Sequence, residues 1–159
     1  MIRLPFAAIG RLRRDTGGLA AVEFALVASA LIGLLVGAID YSLWSLSRTI
    51  VERAARGGSE YAAANGYSSA AIATAITSAT SAPAFLSTIS ASPAPTSWCG
   101  CQSSGTSITA ATCNSTCANG QKAATYVTAS ASATYTPIMT WPGVPATVAV
   151  SQSNTVRIK

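Results

Sequence analysis

Residues 19–39 form an apolar run that contains a single charged side chain, Glu23. As an α-helix these 21 residues are about 31 Å long, which matches the roughly 30 Å hydrocarbon core of a bilayer. We therefore expect one transmembrane helix. The carboxylate of Glu23 needs an explanation, because a charge at the centre of such a helix costs about 2.5–3.5 kcal/mol to insert.

The composition argues against catalysis. Only 9% of the residues are charged, there is no histidine, and all five acidic residues precede residue 61. The commonest proton shuttle is thus missing, and the last 99 residues offer no carboxylate for acid–base or metal chemistry. We expect no enzyme activity, no metal and no cofactor. We also expect no nucleic-acid partner, because the arginines flank the apolar run and form no basic stripe.

Four cysteines follow the apolar run in a C-x-C-x11-C-x3-C pattern: Cys99, Cys101, Cys113 and Cys117. A four-cysteine zinc site is the alternative, but these are not the usual zinc spacings. Two disulfides in an oxidising compartment are favoured. A Cys99–Cys101 bridge would be strained, and the two longer-range pairings both remain open. The disulfides place the N-terminus in the cytoplasm and the residues after about 41 outside, since the arginines on the two sides of the run are nearly equal in number.

Three processing models compete for the N-terminus. A secretory signal peptide fits poorly because the apolar run continues past the small residues at 28–30. An uncleaved anchor leaves Glu23 in the membrane without a partner. Cleavage between Gly18 and Leu19 would create an ammonium group at Leu19, four residues before Glu23 and on the same helix face. Glu23 would also lie near the positive end of the helix dipole, and in an assembly it could pair with the ammonium of a neighbouring subunit.

The segment "RRDTGGLAAVEFALVASALIGLLVGAIDYS" resembles the start of TadE-like minor pilins, or pseudopilins, of the Flp or tight-adherence (Tad) pilus systems. The resemblance implies that an inner-membrane prepilin peptidase cleaves after Gly18. It also implies that Glu23 guides subunit docking and that Phe24 occupies the adjoining aromatic position. A later A-A-R-x-G passage of the family is matched by Ala54, Ala55, Arg56 and Gly58.

The resemblance further implies the partners and the location. The partners are the prepilin peptidase, the major Flp pilin, other minor pilins and the inner-membrane assembly platform. The location is the bacterial inner membrane, with a periplasmic C-terminal region that enters an extracellular pilus. About 100 residues follow the expected helix, which favours a minor subunit. Two alternatives are an uncleaved single-pass scaffold protein and a surface adhesin that uses Trp98 and Trp141.

The expected fold class is α+β, in four parts: a cleaved cytoplasmic leader at 1–18, a transmembrane and extended helix over 19–65, a disulfide-bonded Ala/Ser/Thr-rich loop region over 66–122, and a small antiparallel sheet over 123–159. Helical spacing places Ile50 or Val51, Ala54, Gly58, Tyr61 and Ala62 on one stripe of the helix, and it predicts an ion pair between Glu52 and Arg56. Gly66 is expected to cap this helix.

Two further patterns concern the second half of the chain. Ile72 and Ile76 indicate a short helix around 69–80. From residue 123 the period changes to two, and one strand face collects Val127, Ala129, Ala131, Ala133 and Tyr135. Turns expected at 142–145 and 151–154 then give a sheet of three strands.

Overall fold

The computed structural model describes residues 17–103, 107–140, 143 and 145–158. The leader residues 1–16 and Trp141 lie outside this part, and of the turn expected at 142–145 only Gly143 and Pro145 lie within it. The chain divides into two compact units, Met1–Ile39 and Asp40–Lys159. Helices and strands appear in the order helix, helix, then four strands, which confirms the α+β class.

The first helix, α1, spans Gly17–Asn65 without interruption. It is the one helix in the described part of the chain that is long and apolar enough to cross a membrane. Gly66 ends it with φ +83°, and its N–H donates to the carbonyl of Ala62 at 2.9 Å. A side chain would strain this left-handed conformation, so the expected glycine cap is confirmed.

A second helix, α2, spans Ser69–Ser78 and confirms the short helix expected from Ile72 and Ile76. Both isoleucines are fully buried. The region 66–122 is therefore not only a loop. It contributes a helix to the core, and it also contains two strands of the sheet described next.

The sheet has four antiparallel strands: β1 (Thr96–Gln102), β2 (Ile108–Ala110), β3 (Ala124–Tyr135) and β4 (Val148–Arg157), in the order β2-β1-β3-β4. The expected small antiparallel sheet is confirmed, but its strands differ from the three expected in two respects. β1 and β2 come from the region expected to be a loop. Residues 151–154 do not turn but pair with β3, Ser151 with Ser132 and Asn154 with Ala129. Asn154 stays in the strand because its side chain donates to Ser59 of α1 at 3.0 Å.

The core lies between the helices and one face of β3. The predicted face of β3 is buried along its whole length, from Val127 to Tyr135. Along α1 the buried apolar side chains in the described residues are Val51, Ala54, Ala55 and Ala62. Tyr61, which shares the predicted stripe, remains 36% exposed.

This packing gives a physical reason for the A-A-R-x-G passage. Ala54 and Ala55 are fully buried, and a Cβ at Gly58 would lie 2.5 Å from Cγ1 of Ile76. Only small residues let α1 approach α2 this closely. Arg56 points away from the core and pairs with Glu52 at 2.6 Å, which confirms the expected ion pair.

Both disulfides connect β1 to the segment that follows β2. Cys99 bonds to Cys113 and Cys101 to Cys117, so all four cysteines are paired. The zinc alternative is thereby set aside, and one of the two open pairings is chosen. Loops of about 15 residues closed in this way stabilise a fold by roughly 3 kcal/mol each.

Candidate functional site

The first candidate site is the exposed apolar part of α1, which we call the apolar segment and define as Leu19–Ile39. Its large side chains are each 51–74% exposed, and they point in every direction around the helix: Leu19, Val22, Phe24, Leu26, Val27, Leu31, Ile32, Leu34, Leu35 and Ile39. A helix that is apolar all round requires an apolar environment. Lipid or other helices must therefore cover this surface in the working protein.

Glu23 and Phe24 lie together in the first third of the apolar segment, and both are exposed. The helix already includes Gly17 and Gly18, so the predicted cleavage point lies within its first turn. Leu19 and Glu23 are one turn apart on the same side of the helix. Within the described residues the ion pair is Glu52–Arg56, and Glu23 makes none.

The second candidate site lies at the start of the Asp40–Lys159 unit and was not anticipated from the sequence. Asp40 is 9% exposed. Its Oδ1 accepts hydrogen bonds from the hydroxyl of Tyr135 at 3.0 Å and from the backbone N–H of Ile138 at 2.8 Å. The same hydroxyl lies 3.1 Å from the Asp40 carbonyl. The end of β3 and the residues after it are thus fastened to α1 immediately after the apolar segment.

Burial, together with the hydrogen bond to Asp40 and its negative charge, raises the pKa of Tyr135 from 10.0 to about 12. The folded protein therefore stabilises the protonated phenol of Tyr135 relative to its phenolate. The signal available in the sequence was a lone acid directly after the apolar run, but its partner lies 95 residues away.

Alkaline pH is expected to weaken the Asp40–Lys159 unit through Tyr135. Below pH 10 the phenol is protonated in both the folded and unfolded chains, and it contributes no pH dependence. Between pH 10 and about 12 the unfolded chain loses this proton while the folded chain keeps it. The free energy of unfolding should then fall by up to about 1.4 kcal/mol per pH unit.

Urea titrations of the detergent-solubilised protein between pH 8 and 11.5 measure this slope. Tyr135→Phe should be less stable at pH 8, because Asp40 loses a donor, and should lose the Tyr135 part of the alkaline slope. A slope that is the same in both proteins would contradict the assignment.

Trp98 is one of the two tryptophans that the adhesin alternative would use, and its indole makes contacts within the fold. Its Nε1–H donates to the hydroxyl of Thr128 at 3.0 Å, and the ring stacks on Tyr126 with centroids 5.3 Å apart. Trp141, the other tryptophan of the adhesin alternative, lies outside the described residues. These contacts give Trp98 a packing role in the sheet.

Residues 18–59 match the family model described as TadE-like protein. Over these residues the N-terminal helix of this chain is similar to that of TadE-like proteins. The match begins at Gly18, includes Glu23 and ends at Ser59, so α2 and the sheet lie outside it. No curated protein and no solved structure matches the chain. TadE-like proteins are associated with Tad pilus systems, in which they act as pilus components and are not known as enzymes.

One apolar N-terminal helix is followed by a disulfide-bonded unit, the arrangement expected of a single-pass membrane protein. TadE-like proteins belong to Tad pilus systems together with other pilins.

Proposed function

We propose that this protein is a minor pilin that takes part in the assembly of a Flp/Tad-type adhesion pilus after prepilin peptidase has cleaved it following Gly18. One observation carries the proposal: the TadE-like match begins at Gly18, on a helix whose next 21 residues contain one charge and expose large apolar side chains all round. Such a surface fits a lipid bilayer before assembly and a bundle of pilin helices after it.

Cleavage accounts for the charge of Glu23. Removal of the leader leaves an ammonium at Leu19, one helical turn from the Glu23 carboxylate. The two groups then offset each other's charge, and the carboxylate also lies near the four unpaired N–H groups of the helix start. The desolvation cost of Glu23 falls because the charge is paired.

In the pilus the same two charges set the position of one subunit against the next. An apolar helix surface gives little axial preference, because sliding exchanges one aliphatic contact for another. A single carboxylate in an apolar bundle has a strong preference for the one place where it meets an ammonium. Glu23 of one subunit and the Leu19 ammonium of its neighbour would define that place, with Phe24 packed beside them.

The proposed topology follows from the two disulfides. They lie in the Asp40–Lys159 unit and require an oxidising compartment, so this unit is periplasmic and the leader cytoplasmic. The cytoplasmic leader then meets the prepilin peptidase. The apolar segment meets the inner-membrane platform, the major Flp pilin and other minor pilins within the bilayer.

Pili sheared from cells that produce an epitope-tagged form of this chain should contain it in small amounts relative to the major pilin. The expected result is co-sedimentation of the tag with filaments that withstands a high-salt wash, because the contact is mainly apolar. The control is a strain without the major pilin, in which the tag should stay with the membrane. A tag confined to membranes in both strains would contradict the proposal and favour an uncleaved scaffold.

A further inference from the structure

Apolar side chains are exposed at a second place, at the start of the Asp40–Lys159 unit. Tyr41 is 68% exposed, Ile138 is 64% exposed and Met139 is 46% exposed. Trp44, three residues after Tyr41, is half-buried. We call these four residues the interface patch. Water-soluble surfaces rarely present a group of this kind without a partner.

Hydrogen bonds to Asp40 fix the loop residues of the patch beside one position of α1. The backbone N–H of Ile138 donates to Oδ1 of Asp40 at 2.8 Å, and the hydroxyl of Tyr135 donates to the same oxygen. Asp40 directly follows Ile39, the last residue of the apolar segment. The loop that carries Ile138 and Met139 is thus fixed next to the residue at which a transmembrane span would leave the hydrocarbon.

The other patch residues occupy the headgroup level. From Asp40, Tyr41 is about 1.5 Å and Trp44 about 6 Å further along the helix, and the headgroup layer extends about 5–7 Å beyond the hydrocarbon. Tyrosine and tryptophan are the residues enriched at this depth. Their rings lie 5.7 Å apart, and the guanidinium of Arg48 lies 5.2 Å from the Trp44 ring centroid, where it can reach lipid phosphate.

We propose that the interface patch contacts the phospholipid surface, with Ile138 and Met139 inserted at the boundary between headgroups and acyl chains. The periplasmic unit is then held against the outer leaflet by two elements distant in sequence, residues 40–48 of α1 and the loop after β3. Lipid is favoured over a protein partner because residue 40 directly follows the apolar segment in the sequence and because Arg48 supplies a positive charge beside Trp44. Asp40 is the one acid within residues 40–48 and 136–140, and it is buried.

This inference rests on the membrane placement of the apolar segment and not on leader cleavage or pilus assembly. It can therefore fail while the proposed function stands, and the reverse also holds.

The test places a photo-reactive p-benzoyl-phenylalanine at position 138 of the full chain, reconstituted in vesicles of phosphatidylcholine and phosphatidylglycerol. The same residue at position 41 reports whether the part of α1 directly after the apolar segment is at the membrane. Position 67 is the matched control: Tyr67 is exposed but lies beyond the helix end, about 38 Å along α1 from Asp40. Mass spectrometry counts the lipid adducts after illumination.

Positions 41 and 138 should each give at least about tenfold more lipid adduct than position 67, because the reagent reacts only with groups in contact. A strong adduct at 41 with a background level at 138 would overturn the proposal while leaving the membrane span intact. Background at both positions would overturn the membrane placement and the proposal with it. Crosslinking of position 138 mainly to a second copy of the chain would also overturn it.

Discussion

A Glu23→Ala variant is expected to enter the membrane at least as well as the wild type and to be absent from sheared pili. Removing the carboxylate removes a desolvation cost of up to about 3 kcal/mol at the helix centre, and less near its end. It also removes the one charged group of the apolar segment, and with it the preference for one axial position. Quantitative immunoblotting of the membrane and filament fractions measures both effects.

Two matched variants separate charge from size and position. Glu23→Gln keeps the volume but not the charge, and it should fail in the same way. Glu60→Ala makes the same substitution on the exposed side of the same helix, outside the apolar segment, and it should assemble normally. Normal incorporation of Glu23→Ala into pili would contradict the proposed role of Glu23 in docking.

Ile76→Ala should lower the free energy of unfolding of the Asp40–Lys159 unit by about 2–5 kcal/mol, because it leaves a cavity where a fully buried side chain fills the core. The effect should lie towards the upper end, since alanine and serine make up much of this core and few large side chains can close the gap. Urea denaturation of the detergent-solubilised full chain, followed by circular dichroism, gives the difference.

Ile138→Ala is the matched control, because it removes the same atoms at a position that is 64% exposed. It should change stability in detergent by less than about 0.5 kcal/mol. The contact with Gly58 supplies a second check: Gly58→Ala should be destabilising in the wild type, because its Cβ would meet Ile76, and less so in the Ile76→Ala background. Equal effects of Ile76→Ala and Ile138→Ala would contradict the described core.

The sequence predicted those features whose signal lies in neighbouring residues. The apolar segment and the start of α1 can be read from composition alone. The buried face of β3 can be read because small apolar residues alternate there with serine and threonine, from Val127 to Tyr135. The cap at Gly66 and the pair of Glu52 with Arg56 depend on local geometry and were also predicted.

Features that depend on distant contacts were missed. β1 has no apolar alternation: Gly100 is buried because the indole of Trp98 lies over it, and a Cβ there would be 2.8 Å from that ring. Asn154 looks like a turn residue until its hydrogen bond to Ser59 is seen. The role of Asp40 depends on Tyr135 and Ile138, and nothing near Asp40 in the sequence indicates either of them.

The central claim is that the chain works as a processed pilin, and the N-terminal residue of the mature protein tests it most directly. Intact mass spectrometry of the protein extracted from membranes of cells with active prepilin peptidase should show a chain that begins at Leu19. The same strain without the peptidase should yield only the unprocessed chain. A protein that retains its leader in cells whose major pilin is fully processed would contradict the account, and Glu23 would then be an unpaired charge in an uncleaved anchor.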